Sequence, residues 1–261
     1  KNEMMEITSN PQGGVLQGAS VLDYPVEKDK PDEVIELLSA SNSDYSVIRS
    51  WVRADGDRPA PGNDAIFSVP ETDYVLGNRD SLSVPLTWTD ESGVRVVKVF
   101  RFERGRYGIH LEQTVTNGSQ SPWVGDQVTQ ALRRSKDQDR SMFDVDSYSF
   151  HGPQVYDGKK AKKPDQDDLE DGPFTVTTTD GWYASLQHHF LSAIVPTNDA
   201  TNIIQIRIAN GRTVASVIDS KRTIPAGATE VFERTLFIGP KLQKQLEAAH
   251  DKLALTVDYG W

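Results

Sequence analysis

The 261-residue sequence contains no cysteine, which removes disulfides, thiolate metal sites and cysteine nucleophiles. That absence leaves the compartment open, because proteins of oxidising compartments also do without the residue. Basic side chains are the minority, 28 Lys and Arg against 38 Asp and Glu, for a net charge of −10. A surplus of that sign argues against nucleic acid as a partner and against polybasic docking on anionic lipid. No apolar run approaches the ~20 residues that cross a bilayer and no signal peptide precedes Lys1, so the chain as it stands is expected to be soluble. A Gly-rich phosphate cradle, a nucleophile elbow and an EF-hand loop are also missing; Gly18-Ala19-Ser20-Val21-Leu22 lacks the second glycine an elbow needs. A folded chain of this length hides roughly 70–75% of its extended surface, enough for a core without staples.

What is present is alternation. Leu82, Val84, Leu86 and Trp88 share one face of a strand, Val94, Val96, Lys98, Phe100 and Phe102 mark the return, and Ile109, Leu111, Gln113 and Val115 form a third. The three make a meander. Lys98 on an otherwise apolar face points to an edge or a strand end, since burying an ammonium is costly. Asn117-Gly118 suits a type I′ hairpin, which also explains the glycosylation-like Asn117-Gly118-Ser119 without sugar. Further strands are expected at 34–38, pairing with 45–52, and at 128–134, 174–178, 182–186, 190–195, 203–208, 213–218 and 230–238. Residues 24–32, with two prolines, read as a loop. Residues 147–171 read as an irregular surface stretch in which Lys159-Lys160-Ala161-Lys162-Lys163 offsets the acidic run at 165–171. Many short strands and almost no helix before the end mean a β-sandwich.

Titratable residues form no recognisable catalytic set. On a strand, His188 and His189 would face opposite ways; His110 would face away from Ile109 and Leu111; His151 and His250 have no acidic neighbour at a telling spacing. No cofactor or metal site is expected.

The last stretch changes character. Gly239 at an N-cap and Pro240 at the first helical position would open a helix, and Leu242, Leu246, Ala249 and Leu253 recur at the spacing of one apolar stripe. Tyr259 and Trp261 then suit a membrane–water interface. A division at 1–238 and 239–261 follows, with Leu242, Leu246, Leu253, Tyr259 and Trp261 as the membrane-proximal or partner-contacting residues.

Leu255-Thr256-Val257-Asp258-Tyr259-Gly260-Trp261 resembles the junction between the large periplasmic domain and the second membrane span of the YidC membrane-protein insertases. Gln12-Gly13-Gly14, Tyr74-Val75-Leu76, Val84-Pro85-Leu86-Thr87-Trp88-Thr89-Asp90 and Arg104-Gly105-Arg106-Tyr107 agree with that family in order. So do Gly181-Trp182-Tyr183-Ala184-Ser185-Leu186-Gln187-His188-His189-Phe190 and Val195-Pro196-Thr197-Asn198-Asp199. The resemblance implies a large antiparallel β-sandwich (a supersandwich, as in the galactose mutarotases) with a short C-terminal helical segment, excised from a bacterial inner-membrane protein. It implies a non-catalytic platform, membrane-protein clients and the Sec translocon, including SecD and SecF, as partners, and membrane contact through the absent flanking spans. The competing expectation is a carbohydrate- or peptide-binding module of the same sandwich class. Aromatic residues clustered with carboxylates on a concave sheet would favour it. Sugar epimerisation needs a placed acid and base, and none of that chemistry's motifs is present.

Overall fold

Period-two alternation builds most of the chain into two antiparallel sheets, seen in a computed structural model that describes residues 1–134, 151–197 and 200–257. Asn198, Asp199, Tyr259, Trp261 and the charged segment 135–140 lie outside these residues. The strands are β1 (Met5–Asn10), β2 (Val15–Glu27), β3 (Lys30–Leu38), β4 (Ser46–Ala54), β5 (Ser81–Thr89), β6 (Val94–Glu103), β7 (Gly108–Asn117) and β8 (Trp123–Arg134). After them come β9 (Gly152–Tyr156), β10 (Ala161–Lys162), β11 (Phe174–Thr178), β12 (Trp182–Leu186), β13 (Phe190–Pro196), β14 (Asn202–Ala209), β15 (Arg212–Asp219), β16 (Arg222–Ile224) and β17 (Thr229–Pro240). Two short helices, α1 (Gln166–Asp171) and α2 (Gln243–Ala249), and a 3₁₀ turn at Leu253–Thr256 complete the described elements.

One sheet runs β1-β2-β4-β8-β15-β14-β11, with β3 added on β2 and β16 on β8; the other runs β10-β9-β12-β13-β17-β7-β6-β5. The expected sandwich and the β5–β6–β7 meander are both present. Leu16, Ile48, Ala131, Val217 and Ile204 of the first sheet meet Leu86, Phe100, Leu111, Leu236 and Ile194 of the second in one apolar core.

Several local expectations fail for identifiable reasons. Residues 24–32 are the far end of a β2–β3 hairpin whose ladder shifts register on both sides of Pro25, where regular ladder bonds are not required. β3 therefore pairs with β2, and β4 pairs instead with β8. Asn117-Gly118 makes no hairpin, because the chain crosses to the other sheet there. The buried Asn117 amide donates to the carbonyls of Ser121 and Ile224, each at 2.9 Å, and accepts from Ser119 Oγ at 2.6 Å. Of the segment 147–171, the described part from residue 151 on carries regular structure: β9 and β10 pair, and Asp165 and Asp168 form a capping box that starts α1. Its basic block turns back on β9, with Lys162 Nζ 2.7 Å from Asp157. That contact, with the amides of Lys160 and Lys159, holds the Asp157 carboxyl well below the usual carboxylate range.

Lys98 overturns the expectation of an edge. It lies in the middle of β6, flanked by β5 and β7, and is fully buried. Its ammonium donates to the Gly13 carbonyl at 2.6 Å and to the Ser50 carbonyl, and lies 4.9 Å from the centre of the Phe67 ring. The cost of burying the charge is offset by acceptors on the facing sheet and by a π face. Gly14, with φ near +62°, leaves room for it: a Cβ there would meet Lys98 Cδ and Nζ at 3.0 Å. Burial still lowers the Lys98 pKa from 10.5 to about 7. A second buried charge, Arg234, bonds Asp219, and burial drives that carboxyl's pKa upward against the pull of Arg234 and Arg222.

Candidate functional site

β12 and β13 lack the alternation seen in the β5–β6–β7 meander. All five residues of β12 and five consecutive residues of β13 are buried, whereas β6 and β7 keep an exposed or half-exposed residue at every second position for most of their length. A strand buried on both faces has a layer on each side. One layer is the facing sheet; the other is the C-terminal segment, which lies across the outer face of the eight-stranded sheet.

Strand register identifies what that segment covers. Phe237, Ala193, Leu191, Ala184, Leu186, Trp182, Gln154 and Tyr156 share the outer face by pairing and alternation. Leu246 of α2 and Leu253 of the 3₁₀ turn are fully buried with them. The seat is built from two turns. In the β6–β7 turn, Gln245 Nε2 donates to the Gly105 carbonyl at 2.9 Å, and Tyr107 N donates to Gln245 Oε1 at 3.4 Å. In the β12–β13 turn, Lys241 N donates to the His189 carbonyl at 2.8 Å. The Tyr107 ring lies so close to Gly239 that a Cβ there would approach it to 2.6 Å, so the glycine serves ring packing rather than a helix cap. Burial pushes the Tyr107 phenol up to about 12.

His250 locks the far end. Its Nδ1 accepts from Lys252 N at 3.0 Å, so the ring presents Nε2–H to Asp180 Oδ1 at 2.9 Å. The ring also meets Tyr156 edge-on at 6.2 Å, and Tyr156 stacks on Trp182. Gln154 Nε2 reaches the Leu255 carbonyl at 3.5 Å. No local pattern marks the Asp180–His250 pair, since the two are 70 positions apart.

Of the five residues expected to matter here, the structure separates three. Leu246 and Leu253 are docking residues. Leu242 is not in their stripe: it is the N-cap of α2, with extended backbone, and its side chain is 47% exposed. The helix therefore starts later than expected, because β17 continues through Gly239 and Pro240 to pair with Leu191 and Phe190. Tyr259 and Trp261 lie outside the described residues. Leu255, missed from the sequence, is 49% exposed on the same segment. His188 and His189 occupy the β12–β13 turn rather than a strand, and their rings lie 3.8 Å apart.

A second feature bears on the sugar-binding expectation. Tyr45 borders an open depression of about 230 Å³ lined also by Gln12, Gln17, Asn63 and Asp64. An aromatic ring beside a carboxylate suits a sugar, but one face of the Tyr45 ring is already covered by the Arg212 guanidinium at 3.7 Å.

Fold and seat together define a class: a two-sheet antiparallel supersandwich carrying a docked C-terminal helical layer. The galactose mutarotase related enzyme of Lactobacillus acidophilus shares the sandwich at TM-score 0.57 and 10% identity, over 91% of this chain and 95% of its own. A galactose mutarotase-like protein from Lactobacillus casei superposes at TM-score 0.56 and 12% identity, over 91% and 98%. At such identities the likeness is one of fold. The YidC periplasmic domain family model matches residues 1–261, and the chain belongs to that family. Relatives include membrane protein insertase YidC of Nitrosococcus oceani, 35% identical over 100% of this chain and 48% of that protein. That of Thioalkalivibrio sulfidiphilus is 34% identical over 99% and 47%. The chain thus spans about half the length of these relatives. No helix among the described residues is long and apolar enough to cross a membrane.

Proposed function

We propose that this chain is the non-catalytic periplasmic platform of a bacterial inner-membrane insertase, and that residues 239–261 act as a bracket fixing the sandwich of residues 1–238 relative to the bilayer. The observation that carries this reading is the burial of Leu246 and Leu253 on the outer face of the eight-stranded sheet, with Leu242 and Leu255 left exposed on the same segment. A docked segment transmits orientation, where a loose linker would not. Leu242 and Leu255 then face lipid or partner, and Tyr259 and Trp261 lie at the water boundary of the adjoining span. Membrane-protein clients and the Sec components SecD and SecF are the partners. β11, which among the described residues pairs only with β14 at a sheet edge, is the place where an extended segment could add.

In the full-length insertase, Leu246→Pro should impair client insertion, while removal of residues 159–171 should leave it intact. The opposite pattern would refute the bracket. The purified chain should not interconvert glucose anomers; measurable activity would favour the carbohydrate reading instead.

A further inference from the structure

The outer face of β7 and β17 brings together three side chains that neither the core packing nor the proposed role uses. Alternation puts His110 and Glu112 on this face of β7, and register sets Glu233 directly opposite Glu112. Carboxylates directly opposite on neighbouring strands repel. Among the described residues neither has a lysine or arginine side-chain partner; both turn to His110, whose Nε2 lies 3.2 Å from Glu112 Oε1 and 3.3 Å from Glu233 Oε1. On β6 the residue paired with His110 is Arg101, but its guanidinium is held by Glu103 at 3.0 Å. A single ring N–H cannot serve both carboxylates equally, whereas a divalent cation between them would neutralise both.

The spacing fits such an ion. With zinc bonds of ~2.0–2.1 Å to nitrogen and oxygen in a tetrahedral shell, adjacent ligand atoms sit roughly 3.3–3.4 Å apart. Both measured separations from Nε2 are close to that edge length, and one ligand atom from each of the three residues lies within 4.8 Å of the others. We propose that His110, Glu112 and Glu233 form a zinc site, with one ring nitrogen, two carboxylate oxygens and water in the fourth position. An imidazole with two carboxylates suits zinc better than the all-oxygen shells of calcium or magnesium. Side-chain exposures of 31%, 36% and 43% leave the face open to an arriving ion.

The test is calorimetric titration of the chain with zinc chloride at neutral pH in a non-coordinating buffer. The expected result is one equivalent bound with micromolar affinity. His110→Ala and Glu233→Gln should each weaken binding at least ~100-fold, the upper end of what loss of an outer-shell partner costs. His188→Ala, which removes a ring from the competing histidine pair, should leave it unchanged. In metal-free protein Glu233→Gln should raise the melting temperature by relieving the repulsion, and zinc should raise that of the unaltered chain only. Absence of binding at millimolar zinc would overturn the site. So would binding that survives both substitutions, or binding lost with His188→Ala. A Glu233→Gln variant that melts lower without metal would show a His110 ion pair in place of a metal centre, and would also overturn it.

Discussion

The two short α-helices among the described residues are held in opposite ways. α1 is secured by its own neighbours: Asp165 accepts from Asp168 N at 2.8 Å, Asp168 returns the bond, and Gln166 reaches Glu170 at 2.9 Å. Leu169 is its one buried residue. α2 has no side-chain N-cap at all; what holds it is distant chain, at Gly105, Tyr107, His189 and Asp180. Helices this short do not persist alone. A helix bonded by its own neighbours is tied to the body through one buried side chain, here Leu169, whereas one bonded by distant chain reports the body's orientation. That difference is why the charged insert reads as dispensable and the C-terminal segment as a bracket.

The largest expected effect separates the two directly. Leu246→Ala should cost about 2–5 kcal/mol of global stability in urea unfolding, the range for a buried leucine whose site cannot collapse. Leu169→Ala, which removes a leucine that joins the same core from the end of a short insert, should shift the same transition by less than Leu246→Ala does. Equal losses would erase the distinction.

Single charges repeat the contrast. Lys98 is held by the body, and its folded pKa of about 7 lies below its ordinary 10.5. In that interval the unfolded chain binds more protons than the folded one, so stability should rise with pH by about 1.4 kcal/mol per unit. The rise should run from pH ~7 to about 9, before tyrosines begin to titrate, and stability should be flat in this respect just below it. Lys98→Met should remove the slope; a slope that persists would locate the proton elsewhere.

Asp157, held by neighbours on its own hairpin, should give the smallest effect. Asp157→Asn should cost under about 1 kcal/mol, and salt should screen it. Because the folded pKa is depressed, this contribution is present above the ordinary carboxylate range and fades as pH falls through and below it. A larger, salt-insensitive loss would mean that the insert is coupled to the body.

What the sequence disclosed follows the same division. Alternation is local, so β5, β6 and β7 were legible, as was the 3.6-residue spacing of Leu246 and Leu253. The acceptors that make Lys98 tolerable lie 48 and 85 positions away, and no window of pattern contains them. The far ends of β2 and β3 were hidden because prolines signal loops, yet an irregular edge ladder accommodates them. Leu242 fitted the period and was still misplaced, because Pro240 prolongs the last strand and moves the helix start past it. Of the seat itself, only the presence of its parts could be read. Arg104–Tyr107 and Gln187–Phe190, two stretches behind the family resemblance, become neighbours of α2 only when the sheets assemble.

Orientation is the property to measure. The chain has no cysteine, so a Thr177→Cys label on exposed β11, paired with one in the adjoining membrane span of the full-length protein, gives the distance between sandwich and bilayer. A bracket yields a narrow distance distribution that Leu246→Pro broadens and removal of residues 159–171 leaves unchanged. A distribution already broad in the unaltered protein, or unmoved by Leu246→Pro, would mean that the sandwich hangs from a flexible tether.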